Sequence, residues 1–285
     1  MTDWNFADVW EAVADTVPDA PAAIHGERRL SWGETERRAN GVARFLLDLG
    51  LRHQDKVAHY LYNGPEYMES TFAILKAGLV PVNTNYRYTD DELVYLWDNA
   101  DAVVVIFHGT FTERIDGLRG RVPLVRAWLW VDDGNGACPP WATPYEGAVT
   151  AATDRVAPAW GRSGDDLYLL YTGGTTGMPK GVMWRQDDLF AKLNAGNLLR
   201  VTGGQPREPG DVAGLCSDGV DATGDHVVDS GGVDVDPVQQ PAPAECAQVE
   251  GMHAGQRTVA LTNGSAHSID DIRLIAQRHF RLLLW

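Results

Sequence analysis

Residues 1–200 predict an α/β fold, a partial doubly wound domain with a largely parallel sheet. Three features carry that expectation. Apolar residues at helix spacing alternate with apolar runs of strand length. Ala102–Phe107 is an unbroken apolar run, as suits a parallel strand covered on both faces. Gly, Pro and Ser/Thr-x-x-Glu or -Asp signatures mark the boundaries between the segments.

In chain order, Phe6, Val9, Trp10 and Val13 share one face of a helix over Asn5–Thr16. Gly26-Glu27 separates Ala22–His25 from Arg28–Ser31 as a hairpin turn. Ser31-Trp32-Gly33-Glu34 fits a capping box for a helix that carries Leu46, Leu47 and Leu49 and stops at Gly50. Val57–Leu61 reads as a strand, and Pro65 opens a helix that runs to Ala77 and ends at Gly78. Thr89-Asp90-Asp91-Glu92 is a second capping box, ahead of Leu93, Leu96 and Trp97. Leu167–Tyr171 reads as a further strand.

The 285 residues suffice to bury a core, and 44% hydrophobic with 22% charged residues is ordinary for a globular protein. A net charge of −15 excludes nucleic acid as an expected main partner, because phosphate backbones require Lys and Arg. A small anion needs only a local donor cluster. Lysine occurs only at positions 56, 76, 180 and 192. Cys138, Cys216 and Cys246 are far apart and suggest neither a disulfide framework nor a zinc site, so a reducing, cytoplasmic setting is expected. The acidic start Met1-Thr2-Asp3-Trp4 has no signal-peptide pattern, and no run of about 18 apolar residues predicts a membrane span.

Composition changes after residue 200. Val201–His279 contains no Phe, Tyr or Trp, no lysine follows Lys192, and no Leu or Ile lies between Leu215 and Leu261. Such a segment buries too little apolar area to offset its ordering entropy, so 201–267 is expected to be a disordered tail. Ser268-Ile269-Asp270-Asp271, followed by Ile272, Ile275, Ala276 and Phe280, predicts a short terminal helix over 268–285. The abrupt change predicts a shift of reading frame near Val201–Gly204, which would make the tail a frameshift product.

The segment with chemical content follows the Leu167–Tyr171 strand: Thr172-Gly173-Gly174-Thr175-Thr176-Gly177-Met178-Pro179-Lys180-Gly181. Its glycines leave backbone amides unshielded, and successive amides in a turn form a concave nest for an anion. The threonine hydroxyls add donors. Lys180 adds a full charge between stiff Pro179 and flexible Gly181. The combination suits a polyphosphate. It is not a Walker A loop, since Pro179 precedes Lys180 and Gly181 follows it, nor is it a GxGxxG fingerprint. The plain alternative is a Gly/Thr-rich surface loop, against which the intact Pro-Lys-Gly counts.

The string YTGGTTGMPKGV resembles the phosphate loop of the adenylate-forming superfamily, which includes acyl-CoA synthetases, luciferases and peptide-synthetase adenylation domains. RRLSWGETERRANGVARFL resembles an early helix of that family. The stretch HYLYNGPEYMESTFAILKAGLVPVNTNYRYTDDELVYLWDNADAVVVIFH, with MPKGVMWRQDDLF, is similar to actinobacterial fatty acid or steroid side-chain acyl-CoA synthetases. The resemblance covers residues 5–200, the front part of such an enzyme.

It implies an ATP-dependent attack of a carboxylate on the α-phosphate, giving an acyl-adenylate and pyrophosphate, then displacement of AMP by coenzyme A. ATP, Mg2+ and coenzyme A are the implied cofactors, and a fatty acid or steroid side-chain acid the implied substrate. By the same resemblance Thr172, Gly173, Gly174, Thr175, Thr176 and Gly177 would wrap the β- and γ-phosphates. Pro179 and Gly181 would hold Lys180, which would approach the phosphates as a point charge. Gln186, where many relatives have His, is expected to be structural, as are Tyr86, Arg87 and Tyr88; Trp184 and Arg185 are expected to pack at the surface. His25, His53, His59 and His108 show no metal-ligand spacing and no acid–base partner.

Beyond residue 200 the family's adenine-site motif, Y-G-x-T-E-like motif, ribose-binding Asp and late lysine have no counterpart. Thr223-Gly224-Asp225, with Asp229 behind it, matches a family triplet but arrives far too early and is expected to be chance. Two functions stand: a carbon–sulfur-bond-forming ligase by descent, impaired in this chain, or a non-catalytic remnant that binds nucleotide or a partner. A third is another adenylate former using an aryl or amino acid. Open sheet edges left by the absent strands predict self-association.

Overall fold

The computed structural model describes residues 3–172 and 177–194, together with Pro209 and the pair Ile272-Arg273. The order of elements is α1 (Phe6–Thr16), β1 (Pro21–His25), β2 (Arg28–Ser31), α2 (Trp32–Asp48), β3 (Lys56–Tyr60), α3 (Pro65–Lys76), β4 (Val80–Asn83), α4 (Asp90–Asn99) and β5 (Ala102–His108). Then come α5 (Thr112–Leu118), β6 (Ala127–Val131), β7 (Thr143–Pro144), α6 (Tyr145–Val149), β8 (Leu167–Thr172), β9 (Lys180–Arg185), α7 (Gln186–Asn194) and β10 (Ile272–Arg273).

The boundaries have local causes. Asn5 accepts the Ala7 amide through its side chain and starts α1, and Ser31 Oγ accepts the Glu34 amide at 3.1 Å to start α2. Thr89 and Glu92 form a complete capping box on α4. Gly50 and Gly78, at φ +71° and +65°, turn the chain out of α2 and α3 in a region that penalises a Cβ.

Among the described residues, seven strands form the main sheet in the order β7-β6-β5-β3-β4-β8-β9. All neighbours are parallel except the β8–β9 hairpin. Side chains alternate between two apolar layers, as the period of two requires. Val57, Val104, Ile106 and Leu129 face one layer with α1, α2, α3, α6 and α7. Ala58, Tyr60, Val105, Phe107 and Trp128 face the other with α4 and α5. Helices on both faces make this a doubly wound α/β sheet, as the unbroken run at β5 predicts.

Four of its strands, β4, β6, β7 and β9, are not among the segments expected from the sequence. β4 is four residues long and contains Pro81, a residue that ordinarily argues against an interior strand. β6 (AWLWV) is an apolar run of strand length, the kind of signal that predicts β5, and its side chains alternate between the two layers.

A separate three-stranded sheet has the order β10-β1-β2. Ile272 and Arg273, expected within a terminal helix, are extended and pair antiparallel with His25 and Ile24. The second edge of β1 offers backbone partners that a helix of these residues would leave unmet. Apart from these two residues and Pro209, the expected tail 201–267 and helix 268–285 lie outside the described residues, as do Thr223, Gly224, Asp225 and Asp229.

Candidate functional site

The site is built on the β8–β9 hairpin. Thr172 and Lys180 are register partners at its open end, one step beyond Tyr171 and Gly181. Residues 173–179 connect them. Thr172, Gly177, Lys180 and Gly181 are exposed and Pro179 is buried, so the proline anchors the chain immediately before the lysine. No ion pair engages Lys180 among the described residues, whereas Lys76 is fully buried and bonded to Glu11 and Glu36. Lys180 thus presents an uncommitted charge where the Gly/Thr-rich connection begins and ends. Gly173, Gly174, Thr175 and Thr176 lie outside the described residues.

Two features set the hairpin's shape at this end. An added Cβ at Gly181 would lie 2.9 Å from the Tyr171 ring, so glycine leaves room for that ring against β9. Asn83, the last residue of β4, bonds both backbone groups of Tyr171: Nδ2 donates to the carbonyl at 3.1 Å, and Oδ1 accepts the amide at 2.6 Å. Neither feature is signalled by the loop motif.

The opposite end of the hairpin is tied to the body. Arg185 pairs with Asp165 and with Asp188, the latter at 3.0 Å. Gln186 is fully buried, and its Oε1 accepts the Phe6 amide at 3.0 Å, joining α7 to α1. Trp184 packs partly buried against the layer of α1 and α7. These positions agree with a structural role for Gln186, whereas Trp184, expected to pack at the surface, packs partly against the core. Tyr88 is buried and its carbonyl accepts from Arg114, while Tyr86 meets Tyr62 edge to face with centroids 4.9 Å apart and Arg87 lies over the Tyr86 ring.

The histidines are less isolated than their spacing suggests. His53 Nε2 lies 2.7 Å from Asp166 Oδ1, a partner 113 residues away that only folding supplies. This pair precedes β8, whereas the Gly/Thr-rich connection follows it, so it secures the strand and stands apart from that connection. His108 Nδ1 accepts the Tyr62 amide at 3.0 Å, which leaves its proton on Nε2 when neutral. Burial lowers its pKa. His59 is fully buried, with its pKa pushed down to about 3 by burial. Among the described residues no group of three His, Cys, Asp or Glu side chains could hold a metal ion, and no helix is long and apolar enough to cross a membrane.

Comparison with known proteins shows the family. The family described as AMP-binding enzyme matches residues 10–218. A medium/long-chain-fatty-acid–CoA/3-oxocholest-4-en-26-oate–CoA ligase of Mycolicibacterium smegmatis is 40% identical over 199 residues, covering 67% of this chain and 35% of that protein. A 3-oxocholest-4-en-26-oate–CoA ligase of Rhodococcus rhodochrous is 36% identical over 194 residues, with 67% and 35% covered. The chain therefore spans 35% of the length of these curated relatives. Among solved structures, the anthranilate CoA ligase AuaEII in complex with anthranoyl-AMP superposes with a TM-score of 0.63 at 24% identity, covering 71% of this chain and 38% of that one, a likeness of fold.

Proposed function

This chain belongs to the AMP-binding enzyme family, and from that membership we propose that it descends from acyl-CoA ligases acting on fatty or steroid carboxylic acids and carries the phosphate-binding part of their first half-reaction. In that reaction a carboxylate oxygen bonds to the α-phosphorus of ATP, and the bond to the bridging oxygen breaks to release pyrophosphate. The sulfur of coenzyme A then displaces AMP. The residues of this chain would act on the departing group. Thr172 through Gly177 would supply amide and hydroxyl donors to the β- and γ-phosphates, and Lys180 would offset the charge that builds on pyrophosphate. Mg2+ would arrive on the nucleotide.

The supporting observation is Lys180, without an ion pair among the described residues and exposed opposite Thr172 at the open end of the hairpin. A charge-assisted hydrogen bond contributes about 1.5–3 kcal/mol. Lys180→Ala is therefore expected to weaken inorganic pyrophosphate binding by about 10- to 100-fold in titration calorimetry. Equal affinity in the two proteins would sink the assignment.

A second reading is a nucleotide-binding chain without turnover of its own. Incubating the purified chain with ATP, coenzyme A and a fatty acid separates the two. Thioester formation excludes the second reading, and ATP binding without thioester supports it.

The sheet's last strand also bears on partners. Met183 and Val182 are 70% and 43% exposed on opposite faces of β9, with no further strand beyond it among the described residues. A second copy pairing β9 with β9 about a two-fold axis would satisfy the outer backbone groups and cover both side chains. Sedimentation velocity is expected to show a self-associating protein that Met183→Lys shifts toward monomer. Parent and variant both monomeric would overturn this reading.

A further inference from the structure

Tyr171 is held from three directions just before the phosphate loop. Its hydroxyl donates to Asn99 Oδ1 at 2.7 Å, its ring covers Gly181, and its backbone amide and carbonyl are both bonded by Asn83. The ladder between β4 and β8 has one registered pair, Val82 with Leu169. Past that pair, the Asn83 amide joins the strands where a backbone ladder would otherwise continue. Asparagine is disfavoured in strands on propensity, so its place at the end of a central strand needs a specific cause. A carboxamide carries one acceptor and one donor side by side, the same complement a neighbouring strand would offer. Aspartate would set an oxygen against the Tyr171 carbonyl, and alanine would leave both groups unmet.

From this geometry we propose that Asn83 is a positioning residue for the phosphate loop: it fixes the Tyr171 peptide groups and thereby the direction in which β8 delivers Thr172 and the chain that follows. The role rests on the reading of residues 172–181 as a phosphate loop, and it is assigned by geometry to a residue outside that motif. Asn83 touches no reacting atom.

Two readouts on the full chain test it. Amide hydrogen exchange should show faster exchange confined to peptides spanning about 170–181 in Asn83→Ala and Asn83→Asp, with β5, β6 and α3 unchanged. Inorganic pyrophosphate should bind both variants about tenfold more weakly than the parent, as a displaced binding loop requires. Asn99→Ala, which frees the Tyr171 hydroxyl and leaves its backbone bonds intact, should affect both readouts less. Exchange that is unchanged, or raised evenly across the chain, overturns the proposal. So does unchanged pyrophosphate affinity in the variants when the parent binds. If the parent itself does not bind pyrophosphate, the phosphate-loop function falls, and the exchange pattern still decides whether Asn83 orders this segment. Asn83→Asp serves if Asn83→Ala does not fold.

Discussion

Gly41→Ala is expected to destabilise the protein by about 3 kcal/mol or more, at the upper end for overpacking a core. Gly41 lies in α2 where that helix crosses α6. An added Cβ would sit 1.8 Å from the Val149 carbonyl oxygen and 2.4 Å from its carbon. These are backbone atoms, so relief requires moving α6 itself. Movement would also disturb Arg38, which lies one turn earlier and joins α2 to Glu69 of α3 at 2.8 Å and to Glu146 of α6 at 2.6 Å. A mid-helix glycine costs about 1 kcal/mol relative to alanine, a cost that the close approach of α6 offsets. Gly147, in α6, is the control, since nothing lies within 4 Å of its added Cβ. Gly147→Ala is expected to be neutral or to stabilise by up to about 1 kcal/mol. Denaturant midpoints followed by tryptophan fluorescence measure both. Equal midpoints for the two variants would contradict the close crossing of α2 and α6.

His59 is expected to make stability fall as pH drops below about 6.5, by about 1.4 kcal/mol per pH unit. Its pKa is pushed down from 6.5 to about 3 by burial. Below 6.5 the unfolded chain binds a proton that the folded chain does not, so the contribution is present above 6.5 and is lost progressively toward 3. The hydrogen bonds give the reason. Ser70 Oγ donates to the Glu66 carbonyl at 2.6 Å and is therefore free to accept from His59 Nε2 at 2.9 Å. The neutral Nε2–H tautomer is satisfied, and a second proton would bring an uncompensated charge into the core. Glu69 acts in the opposite sense. Burial pushes its pKa up to about 7, so its contribution is present below 4.5 and is lost as pH rises through 7. The informative quantity is thus the difference between parent and His59→Gln, expected to change by about 2 kcal/mol between pH 6.5 and 5. Urea midpoints at those two pH values read it directly, and parallel curves would contradict a neutral buried His59.

Much of the scaffold was legible because its signals are local. Asn5, Ser31 and Thr89 start helices through bonds to residues two or three positions away. Gly50 and Gly78 end them by adopting a backbone shape that other residues resist. The run at β5 follows from burial on both faces, and Lys180 was legible through its motif. The physical content of these signals lies within a few residues of sequence, which is why they can be read without folding. β4 was hidden because Pro81 argues against it and the sheet overrides that preference. The local pattern at Ile272 and Arg273 predicts a helix, but their place beside β1 depends on a strand about 250 residues away.

By itself, the sequence determined the α/β class, the boundaries of α1, α2 and α3, the start of α4 and the Gly/Thr/Lys composition of the proposed phosphate loop, because helix caps, turns and anion-binding amides act over short chain distances. Only the tertiary structure decided what holds that loop's base and which ionisable groups are paired or buried. Asn83 meets Tyr171 across 88 residues, His53 meets Asp166 across 113, and Lys76 reaches Glu11 across 65. Such pairings depend on which strands become neighbours, and that order is settled by burying two apolar layers at once.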